Sequence, residues 1–96
     1  MYGTVARFLV KPGAEPALRT MMEEFRALNV AGFKGDLMYR SDGSPNEYFM
    51  AVAFADKAAY QANATSPAQH QRYLKMREML TADPEWHDGE IVFSSM

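Results

Sequence analysis

Two stretches of this 96-residue chain read as strands with apolar side chains on both faces, and this feature constrains the fold most. From Tyr2 to Lys11, alternation puts Tyr2, Thr4, Ala6, Phe8 and Val10 on one face and Val5, Arg7 and Leu9 on the other. From Glu47 to Ala55, Tyr48, Met50, Val52 and Phe54 share one face, while Phe49 and three alanines share the other. A strand with one wet face alternates cleanly between apolar and polar residues. These two do not, so each needs cover on both sides.

The rest of the chain supplies cover for one side. Pro12-Gly13 ends the first strand. A helix is predicted from about Glu15 to Asn29, with Pro16 in its first turn and an apolar stripe of Leu18, Met21, Met22, Phe25 and Leu28. Ala31-Gly32-Phe33 leads into a second strand, about Lys34 to Arg40. The turn-forming run from Ser41 to Asn46 then joins it to the third strand as a hairpin. Asp56 is an N-cap for a short helix through about Ala64. Ser66 and Pro67 open another helix, to about Thr81, with Tyr73, Met76 and Leu80 on its apolar side. Asp83-Pro84 stops it. Asp88-Gly89 reads as a turn or bulge, and the last strand covers about Glu90 to Ser95. The order is β-α-β-β-α-β with the second helix broken in two, an α+β ferredoxin-like pattern. Its helices cover one sheet face. A second copy packed sheet to sheet is the simplest cover for the other, so a homodimer forming an α/β barrel is expected.

Length fits one domain over 1–96. Absence of cysteine excludes disulfides, thiolate metal sites and a cysteine nucleophile, and agrees with a cytoplasmic location. Arg7 and Lys11 interrupt the N-terminal apolar run, so no signal peptide is expected. No apolar run reaches the ~18 residues of a membrane span. Net charge is −2 with ten scattered Lys and Arg, so neither a nucleic acid nor a membrane is expected as partner.

The opening Thr4-Val5-Ala6-Arg7-Phe8-Leu9-Val10-Lys11-Pro12-Gly13, the Gly32-Phe33 entry into strand two and the stretch Ser66-Pro67-Ala68-Gln69-His70-Gln71-Arg72-Tyr73 resemble the antibiotic-biosynthesis-monooxygenase-like family. So does Asp83-Pro84-Glu85-Trp86-His87-Asp88-Gly89-Glu90-Ile91-Val92-Phe93. Order and spacing carry the match, over nearly the whole chain. The resemblance implies a dimeric barrel with a cleft between each sheet and its own helices. Members of that family include cofactor-independent oxygenases of polycyclic phenols and quinols, haem-degrading enzymes, and many proteins of unassigned function. The haem-degrading branch has an aromatic residue and, ten positions later, a histidine that ligates haem iron. Tyr60 and His70 show that spacing, with tyrosine in place of the branch's tryptophan, and the branch's first-strand asparagine falls on Ala6.

Among single residues, His70 is the candidate catalytic base, since an imidazole ordinarily titrates near neutrality. Tyr60, Asn63, Tyr73, Met50, Phe54 and Trp86 are candidate substrate-binding residues for a small aromatic molecule. Tyr39 and Tyr48 are further aromatic candidates. Arg72 lies near His70 in sequence and is expected to face solvent. Arg7, among apolar neighbours, needs a carboxylate such as Glu47 or Glu90 if buried. His87, with Glu85, Asp88 and Glu90, lacks a second nearby histidine, so no metal site is expected. Phosphate loops and nucleophile elbows are absent. The leading expectation is a cofactor-independent monooxygenase. The alternatives are a non-catalytic dimeric binding or stress-response protein, and haem binding through His70.

Overall fold

A computed structural model describes residues 1–95. The elements are β1 (Tyr2–Leu9), α1 (Glu15–Ala27), β2 (Phe33–Arg40), β3 (Glu47–Phe54), α2 (Lys57–Ala64), α3 (Pro67–Arg77) and β4 (Glu85–Glu90). The four strands form one antiparallel sheet in the order β2-β3-β1-β4. This is the α+β ferredoxin-like arrangement that the element order implied.

Register decides which side chains meet. Phe8 lies opposite Tyr48, and Ala6 lies between Met50 and Trp86. These residues face the helices, where Ala6, Phe8, Val10, Leu18, Tyr48 and Leu80 form the core. The opposite face of the sheet carries Val5, Leu37 and Tyr39, which are 46–56% exposed in the single chain. Tyr39 stacks there on Phe49, ring centroids 5.5 Å apart. Arg7 emerges on this face too. It is partly exposed, and its guanidinium donates to Glu47 at 2.6 Å and Glu85 at 2.9 Å. Glu90 instead approaches the N-terminal ammonium, at 3.9 Å.

Local signals at the helix starts hold. Asp56 accepts from the Ala59 N–H at 2.8 Å, and the Ser66 hydroxyl accepts from the Gln69 N–H at 3.1 Å, each capping its helix. Gly32 has φ +81°, and a Cβ there would lie 2.5 Å from the Ala59 side chain, so only glycine lets α2 pack over this turn.

Several boundaries differ from the sequence reading, by one or two residues at β1, α1, β2 and β3 and by more at α3 and β4. The last strand is Glu85–Glu90, not Glu90 to Ser95. Asp88 and Gly89 are regular strand residues paired with Thr4 and Gly3, and not a turn or bulge. The apolar run Ile91-Val92-Phe93 suggested a strand, but after the Ile91 N–H bonds the Met1 carbonyl ahead of β1, Val92 and Phe93 are 93% and 82% exposed. The third helix ends at Arg77 rather than Thr81, because Leu80 leaves the helix to bridge Val10. The first helix ends at Ala27 rather than Asn29, whose φ of +52° is left-handed. No helix among the described residues is long and apolar enough to cross a membrane.

Candidate functional site

Between the sheet and its helices lies a cavity of about 480 Å³. Its floor comes from alternate residues of the central strands, Thr4 on β1 and Met50, Val52 and Phe54 on β3. Trp86 and Asp88 of β4 form one wall. Met21 and Phe25 of α1 form another, and Tyr60, Asn63, His70 and Tyr73 of α2 and α3 close the site. All seven residues singled out from the sequence, namely His70, Tyr60, Asn63, Tyr73, Met50, Phe54 and Trp86, thus border one space.

Two aromatic candidates do not. Tyr39 lies on the far face of the sheet. Tyr48 is buried in the core and donates its hydroxyl proton to Glu15 at 2.6 Å. Arg72, expected in solvent, is partly buried and borders the cavity. Its guanidinium donates to Gln69 at 3.0 Å and Asn63 at 3.4 Å, and lies 5.2 Å above the Phe25 ring centroid. The Asn63 carbonyl oxygen is therefore already engaged.

His70 sits in the first turns of α3, exposed on one side and bordering the cavity on the other. Its backbone N–H bonds Ser66, while no hydrogen bond to the imidazole is found among the described residues. His87 pairs with Val5 on the opposite face of the sheet. Among the described residues no three His, Cys, Asp or Glu gather as a metal would require.

Tyr60 is held by ring contacts to Tyr2 and Phe54, with centroids at 5.2 and 5.7 Å. Its hydroxyl donates to Asp88 at 2.8 Å. Burial, and then the Asp88 carboxylate, push the phenol pKa up to about 12, so Tyr60 stays protonated at neutral pH.

Thr4, Asp36 and Asp88 are among the bordering residues that escaped the sequence reading. Asp88 was assigned to a turn. Thr4 sat in plain view on the buried face of strand one, and its hydroxyl gave no signal of its own. Asp36 lies opposite Val52, on the helix-facing side of β2. Burial raises the Asp36 pKa, opposed by the nearby Arg26 charge. A carboxyl raised in the folded state loses stability as pH climbs from the unfolded value of about 3.8 through the folded one. Asp36→Asn is therefore expected to raise the unfolding midpoint at pH 7, with the gain vanishing below pH ~3.8. Thermal melts at the two pH values check this, and a lower midpoint at pH 7 would contradict it.

Several solved structures share the fold. SnoaB, a cofactor-independent oxygenase from Streptomyces nogalater seen as a point mutant, matches with TM-score 0.80 and 19% identity, over 98% of this chain and 95% of that one. A protein of unknown function from Nitrosomonas europaea matches with TM-score 0.75 and 21% identity, over 99% and 92% of the two chains. A Mycobacterium tuberculosis protein gives 0.76 and 18%, over 99% and 98%. At these identities the likeness is one of fold. No curated protein matches in sequence. The family model described as antibiotic biosynthesis monooxygenase matches residues 1–75. The chain therefore belongs to the antibiotic biosynthesis monooxygenase family.

Proposed function

We propose that this chain is a homodimeric oxygenase that acts, without a cofactor, on an aromatic phenol or quinol held in the cavity between sheet and helices. One observation carries the reading: an apolar-walled space of ring-system size has an imidazole on its border, in a member of a family named for monooxygenation. Met21, Phe25, Met50 and Phe54 offer the soft, flat surfaces that an aromatic ligand fills.

In the proposed reaction His70 takes the phenolic proton, which leaves an electron-rich anion. The anion reduces oxygen directly, and the substrate is its own reductant. At the ring C–H para to the phenolic oxygen, one oxygen atom becomes the new carbonyl as the phenolic oxygen becomes the other. The second oxygen atom leaves as water with that carbon's hydrogen and the proton that His70 took. Apolar walls keep bulk water from the intermediate. SnoaB's description as a cofactor-independent oxygenase supports the class of chemistry.

The dimer reading rests on the open sheet face. Val5, Leu37 and Tyr39 form an apolar surface that the chain's own helices leave uncovered, and the exposed Val92 and Phe93 follow β4. A second copy is its proposed cover.

A non-catalytic binding protein is the second reading, favoured by the lack of a hydrogen-bonded orienting partner on the His70 imidazole. Oxygen uptake with anthrone separates the two. The metal-free wild-type protein is expected to consume oxygen well above autoxidation, and His70→Ala to lose most of that, on the order of 10²-fold. Uptake at the autoxidation rate with wild type would support the binding protein.

A further inference from the structure

We propose that Thr4, Tyr60 and Asp88 form a recognition site for one hydroxyl group of the ligand, with Asp88 as the positioning residue for Tyr60. This rests on the reading of the cavity as the site of an aromatic ligand, and adds which polar group that ligand presents and where.

The register builds the site. Thr4 of β1 and Asp88 of β4 lie directly opposite each other, on the helix-facing side of the sheet. Side chains so paired stand ~5 Å apart at Cβ. Thr4 is on the buried floor at 6% exposure, while Asp88 stands at the exposed mouth. Tyr60 reaches down from α2 and gives its hydroxyl proton to Asp88 at 2.8 Å. With that proton committed, the Tyr60 oxygen presents lone pairs. The Thr4 hydroxyl is the complementary group: it is buried, borders the same cavity as Tyr60 and has no hydrogen-bond partner among the described residues. Buried hydroxyls nearly always find one.

An unused donor and an unused acceptor therefore border the same end of the cavity. A ligand hydroxyl satisfies both, accepting from the Thr4 O–H and donating to the Tyr60 oxygen. An ether or carbonyl oxygen accepts only, so it meets Thr4 and turns a lone pair toward the Tyr60 oxygen. The site selects a phenol or alcohol over its methyl ether. Phe54, in ring contact with Tyr60, and Trp86, two residues before Asp88 on the same face of β4, flank the ring that carries the hydroxyl.

Calorimetric titration of the intact protein with 2-naphthol and with 2-methoxynaphthalene tests the proposal. Wild type is expected to bind the naphthol about tenfold more tightly. Thr4→Val should weaken both probes by a similar factor, since each accepts from the Thr4 hydroxyl, and Thr4→Ser should bind them as wild type does. Tyr60→Phe should bring the preference to about threefold or less, because the acceptor that only the naphthol uses is gone. Asp88→Asn, which still accepts from Tyr60, should keep the preference, and Asp88→Ala should lose it. The ligand-free Thr4→Val protein should melt no lower than wild type, since its hydroxyl has no bond to lose. Equal binding of both probes by wild type overturns the proposal and leaves the cavity as the ligand site. So does a preference that survives Tyr60→Phe, unchanged binding of both probes by Thr4→Val, or a lower melting point of Thr4→Val. Binding of neither probe overturns both.

Discussion

Replacing Phe8 with alanine is expected to cost about 3–5 kcal/mol of stability, most of what a small domain has. Phe8 is fully buried near the C-terminal end of β1. Tyr48 lies opposite it on β3, and the Phe8 ring meets the Trp86 ring of β4 edge to face, with centroids 5.8 Å apart and planes at 80°. One side chain thus joins three strands to the core beneath α1. Truncation removes the transfer free energy of the ring and leaves a void that paired strands cannot close. In urea the midpoint should fall sharply with the slope unchanged. A loss below about 1 kcal/mol would show that the sheet does not hang on this residue.

Val5→Asp is expected to break the homodimer while leaving the protomer folded. Val5 lies at the centre of the open sheet face, between Ala51 of β3 and His87 of β4, and is 50% exposed in the single chain. In a lone protomer an aspartate there stays in water, at a cost of up to ~1 kcal/mol for an ill-suited strand residue. In a sheet-to-sheet dimer the same carboxylate is buried without a partner, which costs about 3–5 kcal/mol. That weakens association at least ~100-fold. Sedimentation equilibrium at micromolar concentration should show a wild-type dimer and a folded Val5→Asp monomer. A wild-type monomer, or a variant that dimerises equally well, would contradict the proposed interface. The Arg7 ion pairs with Glu47 and Glu85 share this face but are partly exposed, so they contribute little in the single chain.

What the sequence disclosed follows from which signals are local. Asp56, Ser66 and Pro67 announce their helices because capping is decided within one turn. The two-sided apolar strands announced a sheet needing cover on both faces, and β1 and β3 are indeed its two central strands. The last strand was misplaced because Glu85-Trp86-His87-Asp88-Gly89-Glu90 has little β-forming character of its own. Its place is set by pairing with β1, a contact more than 70 residues distant in sequence. The same error hid Asp88, whose position in the site depends on that register. Arg72 was misjudged because its charge suggested water, whereas its guanidinium finds Gln69, Asn63 and the Phe25 ring within the helical layer.

The location of the ligand decides the proposed function most directly. An amide and tryptophan-indole NMR titration with 2-naphthol measures it. The predicted result is saturable shifts at Thr4, Phe54, Tyr60, His70 and the single tryptophan, Trp86, with the far face unmoved. Shifts centred instead on Val5, Leu37 and Tyr39 would place the ligand on the open sheet face and contradict the cavity as the functional site.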